Sequence, residues 1–179
     1  MNQDWRDIKA GNDVVGRDKN QFYLPHPRPL DLLSTQFKED VEEDNKTYDI
    51  LDELTHYQNT RSDVRDLKQK LSEAGFDYLI DEAEELKEVV AKLIVKNQHY
   101  KSAQKIITFL LADIESTFNA TIKPKLQSTT EEHQVKALFR EYLEGEIQEK
   151  LGENVLDIYN RQVAGMVYFL TGNCHLEWK

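Results

Sequence analysis

"DYLIDEAEELKEVVAKLIVKNQHYKSAQKIITFLLADIESTFNA", residues 77–120, contains neither glycine nor proline, and its reading decides the fold. Leu79, Leu86, Leu93, Tyr100, Ile107 and Ile114 recur every seven residues, and Ala83, Val90, Asn97, Gln104, Leu111 and Phe118 each follow four residues later. Alternating steps of four and three keep a stripe on one helix face at the 3.5-residue period of a coiled-coil seam. Two arrangements satisfy this seam: one long helix, about 60 Å at 1.5 Å per residue, or a helical hairpin turning near Asn97. A turn within "KNQHYKS", residues 96–102, ordinarily breaks the phase, so the continuous register favours the single helix. The stripe fits an intermolecular coiled coil and the chain's own core equally well.

Helical periods continue on both sides. Leu33, Phe37 and Val41, then Tyr48, Leu51 and Leu54, predict one bent helix or two, with a soft spot at Asp44-Asn45-Lys46. Val64, Leu67 and Leu71 form a shorter stripe, opened by Ser62 as cap and stopped by Gly75. Thr129 and Glu132 have the spacing of a capping box. The helix that follows shows Val135, Leu138, Phe139, Tyr142 and Leu151 as its apolar face and ends at Gly152. A last short helix, "IYNRQVAGMVYFL", ends at Gly172, and "NCHLEW", residues 173–178, is expected to be an extended tail.

Residues 1–24 differ in kind. Ile8 and Val14-Val15 are short β-branched pieces between Gly11 and Gly16, and "LPHPRPL" then places three prolines in residues 25–29, a stiff linker. The expected architecture is an all-α helical bundle over residues 31–179, joined by a proline-rich linker, 25–30, to a short β-like N-terminal appendage, 1–24.

With 39% hydrophobic and 31% charged residues the chain lies above the range where disorder is the default, and its 179 residues fit one domain. A net charge of −10 opposes approach to nucleic acid or an anionic bilayer, and Lys101, Lys105, Lys123 and Lys125 are too sparse for a phosphate track. No apolar run approaches the roughly 18 residues of a membrane span, and "MNQDWRDIK" has no apolar signal core. A cytoplasmic location is expected. Cys174, the single cysteine, excludes an intrachain disulfide and a zinc site built from several cysteines.

Three constellations bear on chemistry. Glu53 and His56 have the spacing of a di-iron bundle ligand pair, but that site needs a second copy and two further glutamates, and no other such pair exists. Cys174-His175 offers a nucleophile and a base. Neighbours on an extended segment point to opposite sides, however, so a structural cysteine beside a hydrogen-bonded histidine is the better reading. Gly11 and Gly16, followed by Arg17, have the front spacing of a phosphate loop but lack its Lys-Ser/Thr, and no helix follows. Neither cofactor nor metal is expected.

"VAGMVYFLTGNCHLEW", residues 163–178, resembles the ending of proteins from bacterial ABC-ATPase three-component conflict systems, in which Gly-Met, an aromatic pair and Leu-Thr-Gly-Asn-Cys-His close a helical C-terminal domain. The resemblance implies an ABC ATPase encoded with a middle component and an effector, whose C-terminal domain is a tether for a toxic N-terminal domain. Here only about 30 residues precede the helical part, too few for an enzyme. The expectation is a non-enzymatic adaptor or regulatory subunit docking onto the ATPase or a companion subunit. Met166, Tyr168, Phe169, Asn173, His175 and Trp178 are the packing and docking candidates, with plain core as the alternative. A self-assembling coiled-coil scaffold and a cryptic enzyme using Cys174 and His175 are the competing readings.

Strings like "GNDVVGRDKN", residues 11–20, occur by resemblance near the N-termini of bacterial conflict and signalling proteins. Short β pieces cannot bury a face alone, so residues 5–23 are expected to self-associate, through Ile8, Val14, Val15 and Arg17 and giving a homo-oligomer, or to add to a partner by β pairing, with a loosely packed tail as the alternative. Deleting residues 1–24 should lower the solution mass measured by light scattering; unchanged mass with unchanged partner capture removes that role.

Overall fold

The structure, a computed structural model, describes residues 27–59, 65–129 and 131–179. Among these residues there are seven α-helices and no strand. Ile8, Val14, Val15, Arg17 and the β-like appendage lie outside the described residues, as do Ser62 and Val64.

Helix α1 is Pro29–Glu42 and α2 is Asp52–Gln58, so the first stripe is two helices. The linker ends two residues earlier than expected because Pro29 opens α1, where a missing N–H costs nothing. Asp31 accepts from the Arg28 backbone N–H at 3.1 Å and pairs with its guanidinium, fixing that start. Asp44, with φ of 52°, breaks the chain after α1. Leu33, Phe37, Leu51 and Leu54 pack inward as expected, whereas Val41 and Tyr48 are exposed.

Helix α3, Leu67–Glu73, is capped by Asp66, which accepts from Gln69 N at 2.8 Å, and ends before Gly75, whose φ of +83° suits glycine. A single 3-10 turn, Asp77–Leu79, leads into α4, Ile80–Asn97. Helix α5 begins at Lys101, and its Lys101–Thr117 stretch continues through a π-helical turn, Phe118–Ile122, to Lys123–Leu126. The wider turn precedes Pro124, which removes an amide donor and crowds the carbonyl four residues back.

The 77–120 stretch is therefore two helices and not one, with two polar residues, Asn97 and Gln104, beside the break, and Gln104 explains it. Both fall on the seam and both are buried. Gln104 Nε2 donates to Gln98 O at 2.6 Å and to Asp49 O at 2.9 Å, while its Oε1 accepts from Leu51 N at 2.7 Å. A buried amide needs partners, and the backbone of a turn offers them where a continuous helix has none to spare. Asn97 Nδ2 donates back to Leu93 O, and Thr47 N donates to His99 O, tying the α1–α2 connection to the same turn. The seam keeps its phase because the residues on both sides of the turn face the chain's own core.

Helix α6 comprises Glu132–Phe139, a π-helical turn Arg140–Glu144, and Gly145–Leu151. It starts at a Glu131–Gln134 box instead of Thr129, whose hydroxyl donates to Lys125 O and so serves the preceding helix. Its buried residues are Val135, Phe139, Leu143, Ile147 and Leu151, a strict four-residue step. In an α-helix that step drifts by about 40° each time; the π turn absorbs the drift and holds the stripe on the core. Helix α7 is Asn160–Gly172.

The most extensive helix–helix packing among the described residues is between α4 and α7. A Cβ on Gly165 would stand 2.7 Å from Leu86 O and 2.8 Å from Val90 Cγ2, so the glycine sets the distance between these helices. Gly165→Ala should cost about 1–3 kcal/mol in urea denaturation, although helix propensity alone favours alanine by about 1 kcal/mol; a stabilised variant would show that the helices can separate freely.

Candidate docking site

The candidate residues of the C-terminal segment come together, but largely inside the protein. Met166, Tyr168, Phe169, Asn173 and Trp178 are buried, and His175 is half-buried. Their geometry places them in the core, which was the alternative to direct docking contact.

Trp178 is the hub. Its ring lies 5.4 Å from Phe76, 5.4 Å from Phe118 and 6.2 Å from Phe139, and stacks on Tyr168 at 6.2 Å with planes 3° apart. Indole Nε1 donates to Thr171 Oγ1 at 2.9 Å, and that hydroxyl donates to Val167 O at 2.8 Å. The polar edge of the indole is thus satisfied within the core. Lys70, from α3, reaches the same place with a fully buried side chain. Its ammonium donates to Thr171 O at 3.1 Å and Leu176 O at 3.0 Å, and pairs with Glu177 at 3.0 Å. Arg65 joins Glu177 to Glu73, completing the charge balance at the surface.

The segment 170–175 is not simply extended. Cys174 N donates to Thr171 O at 3.2 Å and His175 N to Leu170 O at 2.8 Å, the paired bonds of a Schellman cap. That motif places one residue in the left-handed region, usually glycine; here it is Cys174, with φ of 69°. Asn173 Nδ2 donates to Tyr57 O at 2.9 Å, and His175 Nε2 donates to His56 O at 3.1 Å. The two side chains hold the end of α2 against the C-terminal turn.

His56, Tyr57 and His175 form a ring cluster, with His175 4.8 Å from His56 and 5.0 Å from Tyr57. The Tyr57 hydroxyl donates to Glu115 at 3.0 Å; burial first, then that bond, push its pKa up to about 12, so it stays a neutral donor. Burial likewise raises the pKa of Tyr168. Glu53 and His56 share α2, and among the described residues no group of three or more His, Cys, Asp or Glu side chains is placed to hold a metal ion. No described helix is long and apolar enough to cross a membrane.

Sequence reasoning missed Lys70, because a lysine reads as solvated surface by default. It also missed Gln104, whose polar character at a seam position was the available signal.

A family model for C-terminal domain 9 of the ABC-three component (ABC-3C) systems matches residues 66–178, from the cap of α3 to Trp178. No curated protein and no solved structure matches the chain. The match spans well over half of the sequence and takes in the hub, the buried lysine and the Schellman cap: the chain belongs to the C-terminal domain 9 family of the ABC-three component systems.

Proposed function

We propose that this protein is a non-enzymatic adaptor or regulatory subunit of a prokaryotic antiviral defence complex, docking through its helical domain onto the ABC ATPase or a companion subunit in the cytoplasm. The observation that carries the reading is the match of residues 66–178 to a C-terminal domain of these systems. Such a domain is a rigid body on which a partner surface can be displayed, and here its signature residues hold that body together.

The use made of Cys174 and His175 supports a structural reading over a catalytic one. Cys174 occupies the left-handed position of the helix cap, with its thiol 3.9 Å from Arg65 O, and His175 is spent on a carbonyl of α2. A nucleophile and base must meet each other; these two face different elements. The surface left for docking carries exposed apolar side chains at Val95, Phe109 and Tyr159 within the matched region. The acidic balance of the chain suits a basic partner.

Co-expression with the ATPase and companion subunit, followed by affinity capture through this chain, should recover at least one of them. Cys174→Gly, which removes the left-handed strain, should leave capture and phage protection intact with stability unchanged or up to about 1 kcal/mol higher. Loss of protection by a stably folded Cys174→Gly or Cys174→Ser protein would instead favour an enzyme.

A further inference from the structure

Helix α2 is held from outside by four side chains. Gln104 bonds Asp49 O and Leu51 N just before it, the Tyr57 hydroxyl donates to Glu115, and Asn173 and His175 donate to Tyr57 O and His56 O. The last two acceptors are consecutive carbonyls in the final turn of a helix that ends at Gln58, where no further helical N–H follows to bond them. Asn173 and His175 thus do for α2 what a cap does, but from another part of the chain. All four holding residues lie within the family match at 66–178, and α2 lies before it. The domain carries the receptor, and what fills it comes from outside.

The filling is a loose one. Helix α2 has seven residues, too few for a stable isolated helix, and only Leu54 and Tyr57 are buried, against nine of thirteen residues in α7. Two open grooves, of about 400 and 250 Å3, run between α2 and α5 and share Glu53 and Thr108 in their walls. Thr108 Oγ1 is the one buried side-chain oxygen or nitrogen without a hydrogen-bond partner among the described residues. Few buried side chains and imperfect polar matching mark an element that opens before the rest of a fold.

We infer that these four residues form a socket for the C-terminal end of a helix, that α2 fills it as a displaceable strap, and that a helix end of the partner subunit takes its place on docking. The chemistry of the occupant follows from the socket. Two adjacent free carbonyls satisfy Asn173 and His175, and a helix C-terminus offers them together with the negative end of its dipole, which favours N–H donors. An extended segment turns successive groups to opposite sides and leaves one of the two donors unmet. A phenol hydroxyl for Glu115 and an apolar side chain three residues before it reproduce Tyr57 and Leu54 on one helix face. The inference rests on the docking reading above and names the contact that docking uses.

The test uses the full chain. In amide hydrogen exchange, α2 should open locally, with protection at least about a hundredfold below that of α4 and α7. Tyr57→Phe, which removes the Glu115 bond, should lower α2 protection about tenfold further and leave α4 and α7 unchanged. The probe is an acetylated, amidated peptide of residues 49–59, added to a full chain carrying Leu54→Ala and Tyr57→Ala, whose α2 has lost both anchors. With α2 tethered at an effective concentration of about 1 mM and open about once in a hundred, the peptide should bind this variant with a Kd of about 10 μM, shifting the amides of Glu115, Asn173 and His175. Wild type, its socket already filled, should bind the peptide about a hundredfold more weakly. Should the double variant fail to fold, Tyr57→Phe should bind it about tenfold more tightly than wild type. Protection of α2 equal to that of α7, equal binding by wild type and variant, or no binding to the variant at about 1 mM peptide overturns the proposal. In affinity capture of the ATPase and companion subunit, the double variant, or Tyr57→Phe in its place, should recover several-fold more partner than wild type. Unchanged or lower capture overturns the exchange and leaves docking intact. No capture by any of these proteins defeats the docking reading, and the exchange with it.

Discussion

A fully buried lysine ammonium is the interaction on which the C-terminal architecture depends. Lys70 arrives from α3 and sits among two carbonyls and Glu177. Removing an ammonium from water is expensive unless every proton finds an acceptor. The three acceptors come from the end of α7 and the tail beyond it, so the ammonium is satisfied only when the tail folds back. The same closure carries Trp178 into contact with Phe76, Phe118, Phe139 and Tyr168, which belong to different parts of the chain. The charge therefore fixes where the tail runs, and the indole supplies the apolar burial that makes the closure favourable, about 3–5 kcal/mol for a ring of this size.

Polar residues in the interior also decide what periodicity could not. The heptad positions from Leu79 to Phe118 were legible as a buried stripe, and the stripe is buried except at Leu93 and Tyr100, beside the turn, which are half-buried. Whether it formed one helix was not legible from apolar spacing, because both arrangements bury the same residues. The deciding group, Gln104, bonds the backbone of the turn at Gln98 and reaches Asp49 and Leu51, more than fifty positions away in sequence. A period describes one element; these bonds join two.

The C-terminal string was legible as a distinctive segment, yet its residues were offered for docking and for core alike. Methionine and aromatic side chains dominate both environments, so composition does not separate them. Burial separates them here. What the motif residues do individually was beyond the string itself: Thr171 links the indole to the helix, Cys174 takes the left-handed cap position, and Asn173 and His175 bond carbonyls of α2.

Those last two bonds cross a boundary. The family match begins at residue 66, so α1 and α2 precede it, while Asn173 and His175 lie near its end. The cap at the end of α7 thus presents two side chains to the segment N-terminal to the family domain and grips it by backbone carbonyls, atoms that any sequence provides. From α5, Gln104 holds the same segment by the Asp49 carbonyl and the Leu51 N–H, and Ser102 holds it by the Asp40 carboxylate. Carbonyl recognition makes few demands on the identity of what is held. The hold is not blind to sequence, however: Ser102 bonds the Asp40 carboxylate and Glu115 accepts from the Tyr57 hydroxyl, so backbone contacts fix where the preceding segment lies and these two side-chain pairs specify which segment fits there.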